Sequence, residues 1–337
     1  MAFVRAIVVH KPDDLRIDEV PKPTVSASDV LIRVRAVAIC GTDFHILKGH
    51  RVVPLPKILG HEMAGDIVEV GEAVTTRKVG EKVTVEPNYS CGKCRLCRTG
   101  KYNICRAKRT MSLNIDGCFS EYVVAPAEYV WPLPEDMPYE RGALVEPTTI
   151  AYHAVQRAQP RLGDVVLVLG AGPMGLLVLQ VVKLQGAKVV IADQFKNRLD
   201  LATRFGADHV IDFTRTPTPD ATKALTDGAG ADVVIDATGS PHGFQLALDS
   251  VAPGGRIAIV GLPSEPASIN VMALARNEVT VVGCVTCVLD FPTAADLLQQ
   301  RKVDVSPFEA EQYGFDDVHR AFENIEKKTA VKPILIL

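Results

Sequence analysis

Four cysteines, Cys91, Cys94, Cys97 and Cys105, fall in the segment CGKCRLCRTGKYNIC with the spacing C-x2-C-x2-C-x7-C. Three thiols at three-residue intervals and a fourth a short loop away can converge tetrahedrally on one zinc ion, each as a thiolate about 2.3 Å from it. The local charge agrees. Seven Lys or Arg and no acid lie between Asn88 and Arg109, which lowers thiol pKa values and offsets the negative charge of zinc held by four thiolates. A closed four-sulfur shell leaves no position for water or substrate, so the spacing predicts a structural zinc. An iron–sulfur cluster is the competing chemistry, but the bacterial ferredoxin run ends C-x3-C-P and this one does not.

A second motif, Gly170-Ala171-Gly172-Pro173-Met174-Gly175, reads G-x-G-x-x-G between the apolar run VVLVL and the helical run LLVLQVVKLQ. Gly170, Gly172 and Gly175 permit a tight turn, backbone approach to a pyrophosphate and close packing of helix on strand, while Pro173 and Met174 open the helix whose N-terminus faces the phosphates. The next strand, KVVIAD, ends in Asp193, 18 residues beyond Gly175. That is close to the ~20 expected for an acid that binds the adenosine ribose diol. An anion there repels a 2′-phosphate, so NAD is expected over NADP. Arg198 either helps hold adenine or caps a solvated helix face.

A third constellation is dispersed: Cys40 in CGTDFH, His61 and Glu62 in GHE, and Glu146 before Pro147. A thiolate, an imidazole and a carboxylate are the ligand types of catalytic zinc sites, which keep a fourth position open. Spacing alone does not bring them together.

The elements that must position these groups change along the chain. Up to about Val145 the runs VLIRVRAVAI, DIVEVG and SEYVVAP alternate apolar and polar residues between Pro and Gly, which predicts half-buried strands in a β-rich unit. From about Thr149 to Cys287, uniformly apolar strands such as VVLVLG, KVVIAD, DVVIDATG and RIAIVG alternate with helical stretches, the pattern of a parallel sheet covered on both faces. The tail returns to helical segments at 292–300 and 315–328 and a closing strand PILIL, expected to pack on the N-terminal unit. With 337 residues, two domains are the starting expectation. A 47% hydrophobic composition supplies packed cores, and a net charge of −3 gives no electrostatic footprint for nucleic acid or an anionic membrane. The longest apolar stretch, Asp164 to Gln185, is broken by Gly170, Gly172, Pro173, Gln180 and Lys183 and is no membrane span. The N-terminus lacks the pattern of a signal peptide, so a cytoplasmic protein is expected, in which clustered thiols serve metals or catalysis rather than disulfides.

The segments CGTDFH, GHEMAGDIVEVG, the four-cysteine lobe, GCFSEY, LVEP and GAGPMG occur in an order that resembles the zinc-dependent medium-chain alcohol dehydrogenase superfamily over essentially the whole chain. Within it the sequence is most similar to the sorbitol (polyol) and threonine dehydrogenase branch, because Glu146 stands where simple alcohol dehydrogenases carry a third cysteine ligand. The resemblance implies an α/β protein: a β-rich GroES-like catalytic domain at 1–147, completed by 288–337, and a doubly wound parallel-sheet Rossmann domain at 148–287. It implies Cys40 and His61 as catalytic zinc ligands, with Glu62 and Glu146 sharing the remaining protein position. Asp43 would orient the His61 imidazole, and Thr42 and His45 would form the proton relay.

The function so implied is hydride transfer between a secondary alcohol of polyol or diol type and NAD, in a cleft between the domains. The alternatives are an L-threonine or amino-alcohol dehydrogenase, or a non-catalytic NAD- and zinc-binding sensor on the same scaffold. One departure bears on substrate: where sorbitol dehydrogenases place an arginine that grips polyol hydroxyls, this chain has Thr286. Relatives also imply a homodimer or homotetramer through apolar strands near 279–288. Of the remaining cysteines, Cys118 is expected to be a small packed residue. Cys284 and Cys287, placed in a strand-like run, would point to opposite faces. His153 reads as structural.

Overall fold

The computed structural model describes residues 2–263 and 265–337. The chain forms two compact units, residues 2–146 with 288–301 and 305–337, and residues 147–287 with 302–304. None of the described helices is long and apolar enough to cross a membrane.

In the first unit the strand Asp29–Ala38 is the spine of a seven-stranded sheet among the described residues. It pairs antiparallel with Glu62–Val70, with Tyr122–Pro126 and with the closing strand Ile334–Ile336. The sequence predicts half-buried alternation here, yet all but Asp29, Arg33 and Arg35 are buried. A strand flanked by partners and covered on most of both faces reaches solvent only around Arg33. A smaller sheet of Asp14–Pro21, Phe3–Lys11 and Lys57–Ile58 packs its apolar residues Ile7, Val9 and Leu15 into the same core as Ile32, Met63, Phe119 and Leu335.

Among its described residues the second unit holds a six-stranded parallel sheet in the order His209–Asp212, Lys188–Asp193, Val165–Leu169, Ala231–Asp236, Val251–Ile259, Thr280–Gly283. Helices Pro173–Lys183, Lys196–Arg204, Thr218–Ala224, Gly243–Ser250 and Val271–Arg276 make the crossovers. Strand order reverses on either side of Val165–Leu169, the switch point at which doubly wound sheets bind dinucleotides. The inner strands are buried throughout their centres, from Val166 to Leu169 and from Val189 to Ala192, as a sheet covered on both faces requires.

Two local features depart from the sequence expectation. Residues 302–304 join the second unit because the Asp304 N–H donates to Gln180 Oε1 at 2.6 Å and Gln180 Nε2 donates to the Asp304 carbonyl at 3.0 Å. Cys284 and Cys287 lie beyond the last strand, which ends at Gly283, in a turn where Thr286 takes φ +52°. Opposite faces of a strand therefore do not separate them. Both thiols are buried.

Candidate active site

The register of the spine strand explains how the dispersed residues meet. Ala38 faces Glu62 on one neighbour and Ile334 on the other. Cys40, two residues past Ala38, therefore lands beside His61 and Glu62 on one side and Lys332 on the other. The Ile39 N–H closes this corner by donating to the Pro333 carbonyl at 2.9 Å. Gly60 turns the chain into His61 with φ +88°, and a Cβ there would lie 2.2 Å from the Phe119 ring, so only glycine fits.

One ligand atom each from Cys40, His61 and Glu62 lies within 4.8 Å of the others. Cys40 caps the short helix Gly41–Leu47, and its backbone N–H donates to Asp43 Oδ2 at 3.0 Å. The other Asp43 oxygen accepts from the Gly60 N–H at 3.1 Å and lies 3.6 Å from His61 Nδ1. Asp43 is fully buried. Burial alone would raise its pKa, but the His61 charge and the Cys40 and Gly60 N–H donors outweigh that and hold it below the usual carboxylate range. With Nδ1 turned to Asp43 and to Ser112 Oγ at 3.4 Å, His61 is left with Nε2 to ligate a metal. Burial pushes the His61 pKa down, yet Asp43 and Cys40 drive it well above its ordinary value. The His61 ring therefore sits in a negative local field, the kind that a dication would satisfy.

Glu146, in the first turn of the helix Val145–Ala158, is buried beside the same charges. Burial first, then Glu62 and Asp43, push its carboxyl up to about 8 against the pull of His61 and Lys332. Its oxygens are not in the group that lies within 4.8 Å, so Glu62 is the carboxylate gathered with Cys40 and His61. Thr42 and His45 follow Cys40 on the capped helix, Thr42 half-buried and His45 at the surface.

Sequence reasoning missed Lys332. Its Nζ donates to the Ile39 carbonyl at 3.2 Å and lies 2.5 Å from Glu62 Oε2, with both side chains almost fully buried. Burial opposes the charge on Lys332, but Glu62, Cys40 and Glu146 raise its pKa overall. A lone lysine before an apolar closing strand carries no signal of this; only the strand register places it.

The four-cysteine lobe passes a simple geometric test. Four sulfurs about 2.3 Å from a central ion at tetrahedral angles lie about 3.8 Å apart. Here Cys91 and Cys97 are 3.9 Å apart, Cys94 and Cys97 3.5 Å, and Cys94 and Cys105 3.9 Å. The backbone N–H groups of Cys94 and Lys93 lower the Cys91 pKa to about 6. The Cys97 N–H pulls Cys94 the same way, but the neighbouring thiols leave the shared proton there and push it to about 11.

In the second unit the Gly170–Gly175 loop turns from strand to helix, and a Cβ at Gly175 would stand 1.8 Å from the Gly170 carbonyl oxygen. Gly172 caps the helix Pro173–Lys183, with Pro173 and Met174 in its first turn. Its Cβ position meets nothing closer than Arg198 Nη1 at 4.0 Å, leaving room for a phosphate. Asp193 Oδ2 accepts from the Ala171 N–H at 2.7 Å, and Oδ1 from Gln194 and Phe195 N–H at 2.7 and 3.0 Å. Arg198 is not a solvated helix residue. It stacks 4.9 Å over Phe195, with Nη1 3.8 Å from Asp193. His153 is half-buried on the helix Val145–Ala158, and Cys118 is packed in the core.

Residues 26–135 match the alcohol dehydrogenase GroES-like domain, and residues 173–300 the zinc-binding dehydrogenase domain. The chain is 35% identical to sorbitol dehydrogenase of Bacillus subtilis, an alignment covering 95% of this chain and 93% of that one. It is 36% identical to L-threonine 3-dehydrogenase of Rhizobium rhizogenes, covering 99% and 98%. Among solved structures, an alcohol dehydrogenase (RspB) of Escherichia coli CFT073 in complex with NADH superposes with a TM-score of 0.94 at 34% identity, covering all of both chains.

Proposed function

This chain belongs to the zinc-dependent medium-chain alcohol dehydrogenase superfamily, in its sorbitol and threonine dehydrogenase branch, and is an NAD-linked oxidoreductase of CH–OH groups; from that premise we propose that Cys40, His61 and Glu62 form its catalytic metal site and that its substrate is a secondary alcohol of polyol or diol type. The observation that carries the site is the gathering of a thiol, an imidazole and a carboxylate within 4.8 Å. Zinc, when bound, supplies the Lewis acidity that makes an alcohol hydroxyl acidic near neutral pH, and NAD supplies the hydride acceptor.

The chain's own residues do the rest. Asp43 fixes the His61 ring with Nδ1 inward, and Lys332 balances the buried charge of Glu62. Glu146 stands by as a second carboxyl for the same centre. Thr42 and His45 accept the proton of the alcohol, and burial with nearby positive charge lowers the His45 pKa so that the imidazole is neutral and able to accept it. The N–H groups at the start of Pro173–Lys183 hold the coenzyme pyrophosphate. Asp193, whose oxygens keep lone pairs beyond those used by the backbone, takes the ribose hydroxyls, with Arg198 beside it. Cys91, Cys94, Cys97 and Cys105 hold a second, structural zinc.

The test is NADH formation by zinc-loaded protein across polyols, vicinal diols, L-threonine and simple alcohols. Turnover of polyols or diols supports the reading, and silence on all of them with NAD still bound overturns it. Thr286 favours L-threonine or another amino alcohol as a second reading, since a threonine there cannot grip polyol hydroxyls as an arginine does. Turnover confined to amino alcohols decides for it. The outer strand Thr280–Gly283, at the sheet edge with Val281 exposed, suits pairing with a second copy, and sedimentation of a dimer or tetramer checks that.

A further inference from the structure

Beside His45 stands a second imidazole that the mechanism above leaves unused. The helix Gly41–Leu47 ends at Lys48, and Gly49, with φ +71°, turns the chain back. The Gly49 N–H donates to the Ile46 carbonyl at 3.0 Å and the Arg51 N–H to the His45 carbonyl at 3.1 Å. This tight return places the His50 ring 5.7 Å from that of His45, with the two Nδ1 atoms 3.4 Å apart. A contact between two Nδ1 atoms is asymmetric, because one nitrogen must carry the proton and the other accept it. The pair can therefore pass a proton along its own axis.

The surroundings favour passage over storage. His45 faces His50 and Arg51 from the return loop and Lys328 from the segment after the helix Val318–Glu326. Lys48, at the end of its own helix, is paired with Asp13 at 3.1 Å and Glu326 at 2.9 Å. A proton arriving at His45 thus meets positive neighbours, with no carboxylate among the groups that shift it. His50 is exposed and leads to water.

We propose that His50 is the second proton carrier of alcohol oxidation, receiving at its Nδ1 the proton released from Nδ1 of His45. The proton of the alcohol enters at His45 Nε2 by way of Thr42, the Nδ1 proton crosses to His50, and His50 releases one from its own Nε2 to water. One proton enters, one leaves, and no electrons move; each ring ends in its other tautomer and regains the first by proton exchange with water, since both rings are exposed, before the next turnover. Carbonyl reduction runs the same path backwards. The inference rests on the reading of Thr42 and His45 as the relay.

The experiment follows transient proton release, with a pH-indicator dye, from zinc-loaded enzyme mixed with NAD and a turned-over alcohol. His50→Ala is expected to slow release about a hundredfold, the lower end of the range of positioned acid–base groups, with the KM for the alcohol unchanged. Added imidazole should restore the rate of His50→Ala while leaving wild type unaffected, and in a His45→Gln background His50→Ala should cost nothing further. Wild-type release by His50→Ala, or a loss that imidazole does not rescue, overturns the role of His50. If His45→Gln itself releases protons at the wild-type rate, the relay reading fails as well, so the two failures are distinguishable. Because His50 is exposed, an unchanged melting curve of His50→Ala verifies that folding is intact.

Discussion

The two proposed metal constellations of this chain are built in opposite ways. The four-cysteine lobe takes all four of its proposed ligands from one short segment rich in basic residues, uses a single ligand type, and lowers the Cys91 pKa with local backbone N–H groups. The Cys40–His61–Glu62 centre is assembled by strand register from distant segments, mixes acids and bases, and buries Asp43, Glu62, Glu146 and Lys332 together. A local chelate needs little from the fold but contributes to it, since metal binding there is folding free energy. A centre made by tertiary register depends on the fold and leaves a coordination position open for chemistry. Damage to the lobe should therefore appear as instability, and damage to the centre as lost turnover.

The largest expected effect is that of Cys40→Ser, which should abolish turnover while leaving NAD affinity intact, because the coenzyme loop belongs to the other unit. Steady-state rates and an NADH fluorescence titration check this, and wild-type rates would remove Cys40 from the catalytic metal. Next is Cys94→Ser. It should lower stability by on the order of 5 kcal/mol and release one zinc per chain, with residual folded protein still turning over. An unchanged melting temperature and full zinc content would dissolve the contrast between the two sites.

The same contrast governs what could be read from the sequence. The lobe was legible because its spacing is its geometry, and the Gly170–Gly175 turn because strand, glycines, helix and Asp193 are consecutive. The parallel sheet was legible from uniform apolar strands. Cys40, His61, Glu62 and Glu146 could be named through resemblance, but their meeting depends on Ala38 lying opposite Glu62, which no local pattern encodes. Lys332 was invisible for the same reason, since its partner is set by the opposite edge of the same strand. The extent of Asp29–Ala38 burial was misread because alternation reports one apolar face and is blind to a second covering layer.

Lys332→Met probes the tertiary centre without touching a ligand. Removing one partner of a buried ion pair costs about 3–5 kcal/mol because the other charge stays buried and uncompensated. A bound dication compensates Glu62 in its place, so the loss of melting temperature should be greater in chelator-treated protein than in zinc-loaded protein. Equal losses in both states would mean that Lys332 and the metal do not share Glu62, and that the centre is less interdependent than its geometry indicates.

The smallest effect concerns Glu86, a buried acid at the root of the lobe that lacks what Glu62 has. It follows the strand Lys82–Val85, and its Oε2 accepts from Trp131 Nε1 at 3.3 Å while Oε1 finds no hydrogen-bond partner among the described residues. Burial pushes its carboxyl from an ordinary 4.5 up to about 7, with Tyr102 and Trp131 opposing only in part and Asp290 adding to the rise. Below about pH 4.5 folded and unfolded chains both hold this proton. Between there and about pH 7 the unfolded chain loses it while the folded chain keeps it, so stability falls as pH rises, and above pH 7 the full penalty is present. Glu86→Gln keeps an acceptor for Trp131 and removes the charge, and should stabilise the protein by about 1–2 kcal/mol above pH 7 with little change below pH 4.5. Melting curves across that range decide it. A variant less stable than wild type at high pH would mean that the Glu86 charge is compensated after all, and that buried acids outside the catalytic centre are as well balanced as those within it.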